Sequence, residues 1–529
     1  FVCALALTAP AFAQSNEALS ALDESLSALI AGHPTPGMAL VIVEDGEIVL
    51  QKGYGLRSID PPLPMTDQTI LSPGSLSKNL TALGVLRLVE QGTLDLNAPI
   101  SQIAPQVKLD NPFDTPVTLA MLLEHSAGLE GSNFAEYAFS QPGFSPADYA
   151  ARLARRVTVS WPPGYFFSYA NGGHTFAALA IEKACGCSYD SFMQREILTP
   201  LGMVDSSFLI ADIDQARLSN SYDTDGKTPA ARWRMAIRPS GALLSTIADL
   251  GKLVQFYATR GRDYPGFVSP ELLKRMEDSA TTATSRIGLI EGTYGLGNFG
   301  SFAGPGYIVH GHAGSTEGFR TWLAYDPDTA RGYAFVLNAR AGLRGQLVKQ
   351  LGNYMTRDYP PVQPMPTVED KRLTQIRGWY EPITHDMLLR RWMWRVAGAV
   401  KLTPSVDRLT VDPIVPTQAT THLLAVGGGK LRRENRPIPT AAIVDGPAGE
   451  PVLVDGDAYQ PVNGFIAVGR FYGLCAALVV AGLASLHGSV SLPRRMLSGT
   501  PQHAALRLRA GLFFAGASLL LLLGVFIQK

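Results

Sequence analysis

Gly74-Ser75-Leu76-Ser77-Lys78-Asn79-Leu80, entered through Pro73, sets a serine at the head of a long apolar run. Leu80, Leu83, Leu86 and Val89 recur at helical spacing up to Gly92, so the run predicts a helix with Ser75 on its first turn. A helix starting there puts the serine hydroxyl and N–H at the positive end of the helix dipole, where developing negative charge is favoured. Lys78 lies three residues on, one turn away on the same face, near enough to ease removal of the serine proton. Serine and lysine also sit well on an ordinary helix surface, so the pair carries weight only with partners.

Outward from this stretch the periodicity changes twice. Gly37 to Glu44 and Glu47 to Gln51 are β-branched runs joined at Asp45-Gly46, a hairpin signal, and they follow a helix-like segment from Glu17 to Ala31. A mostly helical middle reaches about Tyr257 and includes Val117 to Leu123, Pro146 to Arg156, and Gly172 to Ala184 stopped by Gly186. Strands return at Ile308 to His310, Arg320 to Asp326 and Gly332 to Asn338, and Gln346 to Thr356 closes with a helix. This order predicts an α+β fold: one antiparallel sheet flanked by helices, a helical subdomain beside it, and an active site between the two. Residues 14–360 form that domain. From 361 to 463 short runs cut by Pro and Gly, Met387 to Val400 among them, predict a small β domain. Its Arg390-Arg391 beside Trp392 and Trp394 suits a solvated face with two core tryptophans better than a membrane or partner contact.

At 529 residues the chain fits two or three domains, and with 17% charged residues and zero net charge it has no basic field to hold a nucleic acid. Residues 1–13 end in Ala11-Phe12-Ala13 and read as part of a secretory signal peptide. Residues 464–486 and 510–527 are apolar enough to be transmembrane helices, the first interrupted by Arg470. The loop between them, 487–509, carries Arg494, Arg495, Arg507 and Arg509 without an acid, which predicts a cytoplasmic loop and an exported, periplasmic or extracytoplasmic catalytic domain. Cys185-Gly186-Cys187 is too closely spaced for an ordinary bridge, and no disulfide framework is required.

Two further motifs supply the partners. Tyr169-Ala170-Asn171 is the chain's only Y-x-N and sits on a loop after Pro162-Pro163-Gly164. A phenol near a lysine ammonium ionises more readily and could take the Ser75 proton, while Asn171 offers an amide suited to a substrate amide. Gly311-His312-Ala313-Gly314-Ser315 reads as the opening of the strand through Trp322. Gly314 lets a substrate approach the backbone, the Ser315 N–H could complete an oxyanion hole with that of Ser75, and His312 would place a polar group beside the substrate. A metal pair at His310 and His312 is the rival reading, but no carboxylate or second histidine cluster follows at ligand spacing, so neither metal nor cofactor is expected. His125 reads as a structural histidine fixing a loop.

In this order Ser75/Lys78, Tyr169/Asn171 and His312/Gly314 resemble the three-motif set of the serine β-lactamase and penicillin-binding-protein superfamily, most closely the class C β-lactamase-related serine hydrolases. Val117-Thr118-Leu119 leading to His125-Ser126-Ala127-Gly128-Leu129, Thr199 to Met203, and Pro239-Ser240-Gly241 with Ser245 to Asp249 resemble the same family, over roughly Leu19 to Asn353. The resemblance implies an acyl-enzyme mechanism on a small-molecule or peptide substrate: Ser75 attacks a carbonyl, Lys78 and Tyr169 share the proton, and the Ser75 and Ser315 N–H groups hold the oxyanion. True β-lactamases and transpeptidases usually carry Lys-Thr-Gly where this chain has His312-Ala313-Gly314. A neutral imidazole is a poorer partner for a substrate carboxylate than an ammonium, which favours a general amide or ester hydrolase over an efficient β-lactamase. The alternative is a sensor that acylates without turnover.

Overall fold

The computed structural model describes residues 8–131, 145, 146, 148, 157–231, 237–289, 294–304, 306–384 and 388–496. Its centre is a seven-stranded antiparallel sheet in the order β3-β2-β1-β9-β8-β7-β6. The strands are β1 (Gly37–Glu44), β2 (Glu47–Ser58), β3 (Leu63–Pro64), β6 (Phe299–Ala303), β7 (Tyr307–Thr316), β8 (Phe319–Asp326) and β9 (Arg331–Leu337). β4 (Leu71–Gly74) and β5 (Leu243–Ser245) pair separately. β1 is buried along its whole length and alternates faces as a strand must. Met38, Leu40 and Ile42 pack with Leu22, Leu26 and Ile30 of the Thr8–Ala31 helix and with Leu347 and Leu351 of the Arg344–Met355 helix. Ala39, Val41 and Val43 face the opposite core, with Leu80, Leu83 and Leu86 of the Ser77–Glu90 helix and Leu250 and Val254 of the Ile247–Ala258 helix. Asp45 and Gly46 both take positive φ, as the tight β1–β2 turn requires.

Several expected elements are redrawn. Gly311 to Thr316 does not open the strand through Trp322; it is the second half of β7, and β8 starts after the Glu317-Gly318 turn. Gly172 to Ala184 is helical as expected, over Asn171–Cys185, and Gly186 ends it in the left-handed conformation at φ 63°. That turn brings Cys185 and Cys187 together, with Cα atoms 5.3 Å apart and their sulfurs bonded, so the two residues do pair despite their spacing. The helix expected over Pro146 to Arg156 lies outside the described residues apart from 146 and 148. The first helix is continuous across the cleavage point expected after Ala13.

The small β domain is a closed eight-stranded antiparallel barrel, β10 (Gly378–Pro382), β11 (Val400–Pro404), β12 (Arg408–Pro413), β13 (Thr421–Gly427), β14 (Lys430–Arg433), β15 (Ala441–Asp445), β16 (Pro451–Asp455) and β17 (Asp457–Pro461). Its interior holds Leu402, Leu409, Leu423, Ala425, Leu431, Ile443 and Leu453. The alternate residues Ala442, Val444, Val452 and Ala458 turn outward and are buried with Trp161, Phe166, Ala283 and Leu289 of the first domain. Residues 388–397, read as part of a strand run, are a helix. The expected span at 464–486 falls within one helix, Gly464–Met496, but among the described residues no helix is both long and apolar enough to cross a membrane. Its first turns rest on the barrel: Ala467 is buried with Ala399 and Ile414, and Arg470 Nη1 pairs with Glu381 Oε2 at 3.0 Å. Residues 497–529, which include the second expected span, lie outside the described residues.

Candidate active site

β4 runs straight into the serine. Gly74, its last residue, turns at φ 62°, and Ser75 and Leu76 form the turn that leads into the Ser77–Glu90 helix, so Ser75 precedes the first helical residue by two. The turn is tied by Lys78 N–H to the Ser75 carbonyl at 3.0 Å, and Ser77 Oγ donates to the Gly74 carbonyl at 2.7 Å. Lys78 projects from the first helical turn and is fully buried. Its Nζ donates to Ser75 Oγ at 3.1 Å and to the Ser240 carbonyl at 2.7 Å, and it lies 4.9 Å from the centre of the Tyr169 ring. An ammonium in such a site is kept only by groups that replace its water, and a carbonyl, a hydroxyl and an aromatic face do so here. The Ser240 carbonyl is presented by the short Arg238–Gly241 helix, and Ser240 Oγ ties back to the Asn171 carbonyl at 2.7 Å. The first two expected motifs therefore meet through a third segment.

Tyr169 and Asn171 flank the start of the Asn171–Cys185 helix; Tyr169 is half-buried and Asn171 buried. The opposite wall is the end of β7. A Cβ on Gly314 would sit 1.8 Å from the Pro73 carbonyl oxygen, and one on Gly74 would come within 3.0 Å of the Ser315 nitrogen. Only glycine at both positions lets the two backbones approach this closely. That approach carries the Ser315 N–H to the Ser75 turn. Ser315 itself is exposed, and its Oγ accepts from Arg344 Nη1 at 3.1 Å.

His312 lies among buried partners. It is buried, its Nδ1 donates to the Ala313 carbonyl, and its Nε2 accepts from the Tyr294 hydroxyl at 2.7 Å. Burial first, and then the Lys78 charge, push its pKa down to about 3, so it is a neutral imidazole behind the site rather than a group facing solvent. Burial also lowers His310, to about 4. Among the described residues no group of three or more His, Cys, Asp and Glu could hold a metal.

The sequence reading gave no role to Ser240, Tyr294 or Arg344. Ser240 acts through its main chain, which no side-chain pattern reveals. Tyr294 is a lone tyrosine before Gly295 that reaches His312 only through the β6–β7 pairing. Arg344 begins the last helix of the domain, 29 residues from Ser315.

A buried lysine on the hydroxyl of a serine two residues before a helix, facing a glycine-backed strand end, is the arrangement the three motifs imply. The Beta-lactamase family model matches residues 22–349, more than half of the chain. The chain belongs to the beta-lactamase family. Within the wider serine β-lactamase and penicillin-binding-protein superfamily, Protein flp of Staphylococcus aureus strain N315 is 23% identical over 341 residues, covering 64% of this chain and 66% of its own length. Penicillin-binding protein 4 of Amycolatopsis lactamdurans is 27% identical over 328 residues, 59% of this chain and 77% of its own. The chain spans no more than 66% of the length of the Flp relative. The octameric penicillin-binding protein homologue from Pyrococcus abyssi shares the fold with a TM-score of 0.53 at 23% identity, covering 84% of this chain and 97% of its own. SurE, solved with D-Leu, does so with 0.57 at 21%, covering 85% and 100%.

Proposed function

We propose that this family member is a serine hydrolase of the class C β-lactamase-related type that cleaves an amide or ester through a Ser75 acyl-enzyme. The observation that carries the reading is Lys78 Nζ, 3.1 Å from Ser75 Oγ, held by the Ser240 carbonyl and covered by the Tyr169 ring. Ser75 Oγ attacks the substrate carbonyl and its proton leaves along Lys78 and Tyr169. The carbonyl oxygen, now an oxyanion, is held by the Ser75 and Ser315 N–H groups. Collapse expels the alcohol or amine with a proton from the same pair, and water releases the acyl group. Asn171 binds the substrate amide, and His312, with Tyr294, backs the Tyr169 side of the cleft.

Arg344 refines the substrate class. His312 cannot serve as the cationic partner of a carboxylate, but the Arg344 guanidinium reaches the Ser315 hydroxyl at the end of the same strand. A carboxylate on the leaving side of the substrate would meet it as a charge-assisted pair.

Export and membrane attachment belong to the same proposal. They are supported by the apolar runs 1–13 and 510–527, and by the exposed apolar side chains Phe465, Tyr472, Val479, Val480 and Leu483 on the helix that leaves the barrel. Arg470, paired with Glu381, does not stand unpaired within it. The test is turnover of nitrophenyl butyrate by the wild-type chain and by Ser75→Ala. Steady turnover abolished by the substitution supports the hydrolase; a stoichiometric burst without turnover, or turnover that survives in Ser75→Ala, overturns it.

A further inference from the structure

We propose that His125 is the positioning residue for Tyr169, gripping the chain on both sides of it. The inference rests on the serine-hydrolase reading only for its kinetic consequence. His125 stands in the left-handed region at φ 54° and is buried. Its carbonyl accepts from Ser168 N–H at 2.7 Å, and its Nδ1 accepts from Ala170 N–H at 3.1 Å. The residue before Tyr169 and the residue after it are thus both bound to one side chain and its own main chain. The His125 ring also lies against the phenol, with centroids 4.1 Å apart, and against Tyr294 at 4.6 Å, the tyrosine bonded to His312. One residue therefore fixes the second motif and touches the layer behind the third.

The grip dictates the state of the ring. Nδ1 can accept only if it carries no proton, so the ring must be the neutral tautomer protonated at Nε2. The surroundings enforce this: burial holds His125 well below the ordinary histidine value, and His174, Lys78 and His312, which face it, add to the effect.

The test compares His125→Gly, His125→Asn, Tyr169→Phe and the double variant His125→Gly/Tyr169→Phe in the full chain. Glycine accepts the left-handed backbone and keeps its carbonyl on Ser168 but removes the side-chain half of the grip, the Nδ1 bond and the ring on the phenol; asparagine also tolerates that backbone and offers its carbonyl oxygen where Nδ1 stood. Folding is checked by circular dichroism and thermal melting. The expected result is a loss of about 100-fold in kcat for His125→Gly with KM within about 3-fold, the scale of a lost proton-transfer arrangement. Asparagine should recover to within about 10-fold of wild type, since it restores one hydrogen bond of the grip. The double variant should match Tyr169→Phe to within about 3-fold, because residues acting as one unit are not additive. Losses that multiply, or asparagine no better than glycine, overturn the proposal. A second arm needs no activity: nitrogen-15 histidine spectra should show the His125 ring neutral and protonated at Nε2, and a ring protonated at Nδ1 overturns it. If Ser75→Ala leaves hydrolysis intact, the hydrolase reading fails while this arm still decides the grip.

Discussion

Acidification from pH 7.5 to 5.5 should destabilise the beta-lactamase domain. Four buried histidines, His125, His174, His310 and His312, are all held below the ordinary histidine value, first by burial, the last two at about 4 and about 3. In the unfolded chain each returns to about 6.5. A group whose folded pKa is depressed gives its full stabilisation above the unfolded value and loses it as pH falls toward the folded one, because the unfolded state then binds more protons. At pH 5.5 His310 and His312 together favour unfolding by about 3 kcal/mol, a sizeable part of the stability of many domains, and His125 and His174 act in the same direction. Glu182 and Glu277, raised by burial, act with the opposite sign and offset part of the loss. Urea unfolding followed by fluorescence at pH 7.5, 6.5 and 5.5 reads the effect. With a slope of about 2–3 kcal/mol/M, the midpoint should fall by about 1 M, roughly three quarters of it below pH 6.5. A midpoint that moves by less than about 0.5 M across this range would refute the reasoning, since the burial argument then fails for the residues behind the site.

Four other substitutions probe the same geometry. Lys78→Ala and Tyr169→Phe should each lower kcat by about 10²–10⁴-fold on nitrophenyl butyrate with little change in KM, read by steady-state kinetics. Gly314→Ala should abolish turnover and lower thermal stability by at least about 1–3 kcal/mol, because its Cβ would sit 1.8 Å from the Pro73 carbonyl oxygen and neither main chain can yield. Arg344→Ala should raise KM by about 10–100-fold for esters bearing a carboxylate on the leaving side and leave neutral esters within about 2-fold, on the scale of one hydrogen bond to a charged group.

What the chain disclosed in its sequence followed from local rules. The β1–β2 hairpin is legible because Asp45-Gly46 tolerates positive φ between β-branched runs, and Gly186 stops its helix for the same reason. Ser75 with Lys78, and Tyr169 with Asn171, are legible because each pair is fixed by spacing within one short segment. The rest depended on tertiary placement. The Ser240 carbonyl reaches Lys78 across 162 residues, and Arg344 reaches Ser315 only because its helix packs across β6, β8 and β9. The bond between His312 and Tyr294 was not legible, because residue type alone does not tell which side chain an imidazole meets. The helix at 388–397 mixes tryptophan, methionine and arginine, a composition equally at home in a strand. The cysteine pair needed the backbone turn at Gly186, which spacing alone does not supply.

Mass mapping of the protein trapped during hydrolysis tests the central claim most directly. After a brief exposure to nitrophenyl butyrate and an acid quench, the account predicts one butyryl group, on the peptide carrying Ser75, and none in Ser75→Ala. A butyryl group on another residue, or undiminished turnover in Ser75→Ala, would contradict it.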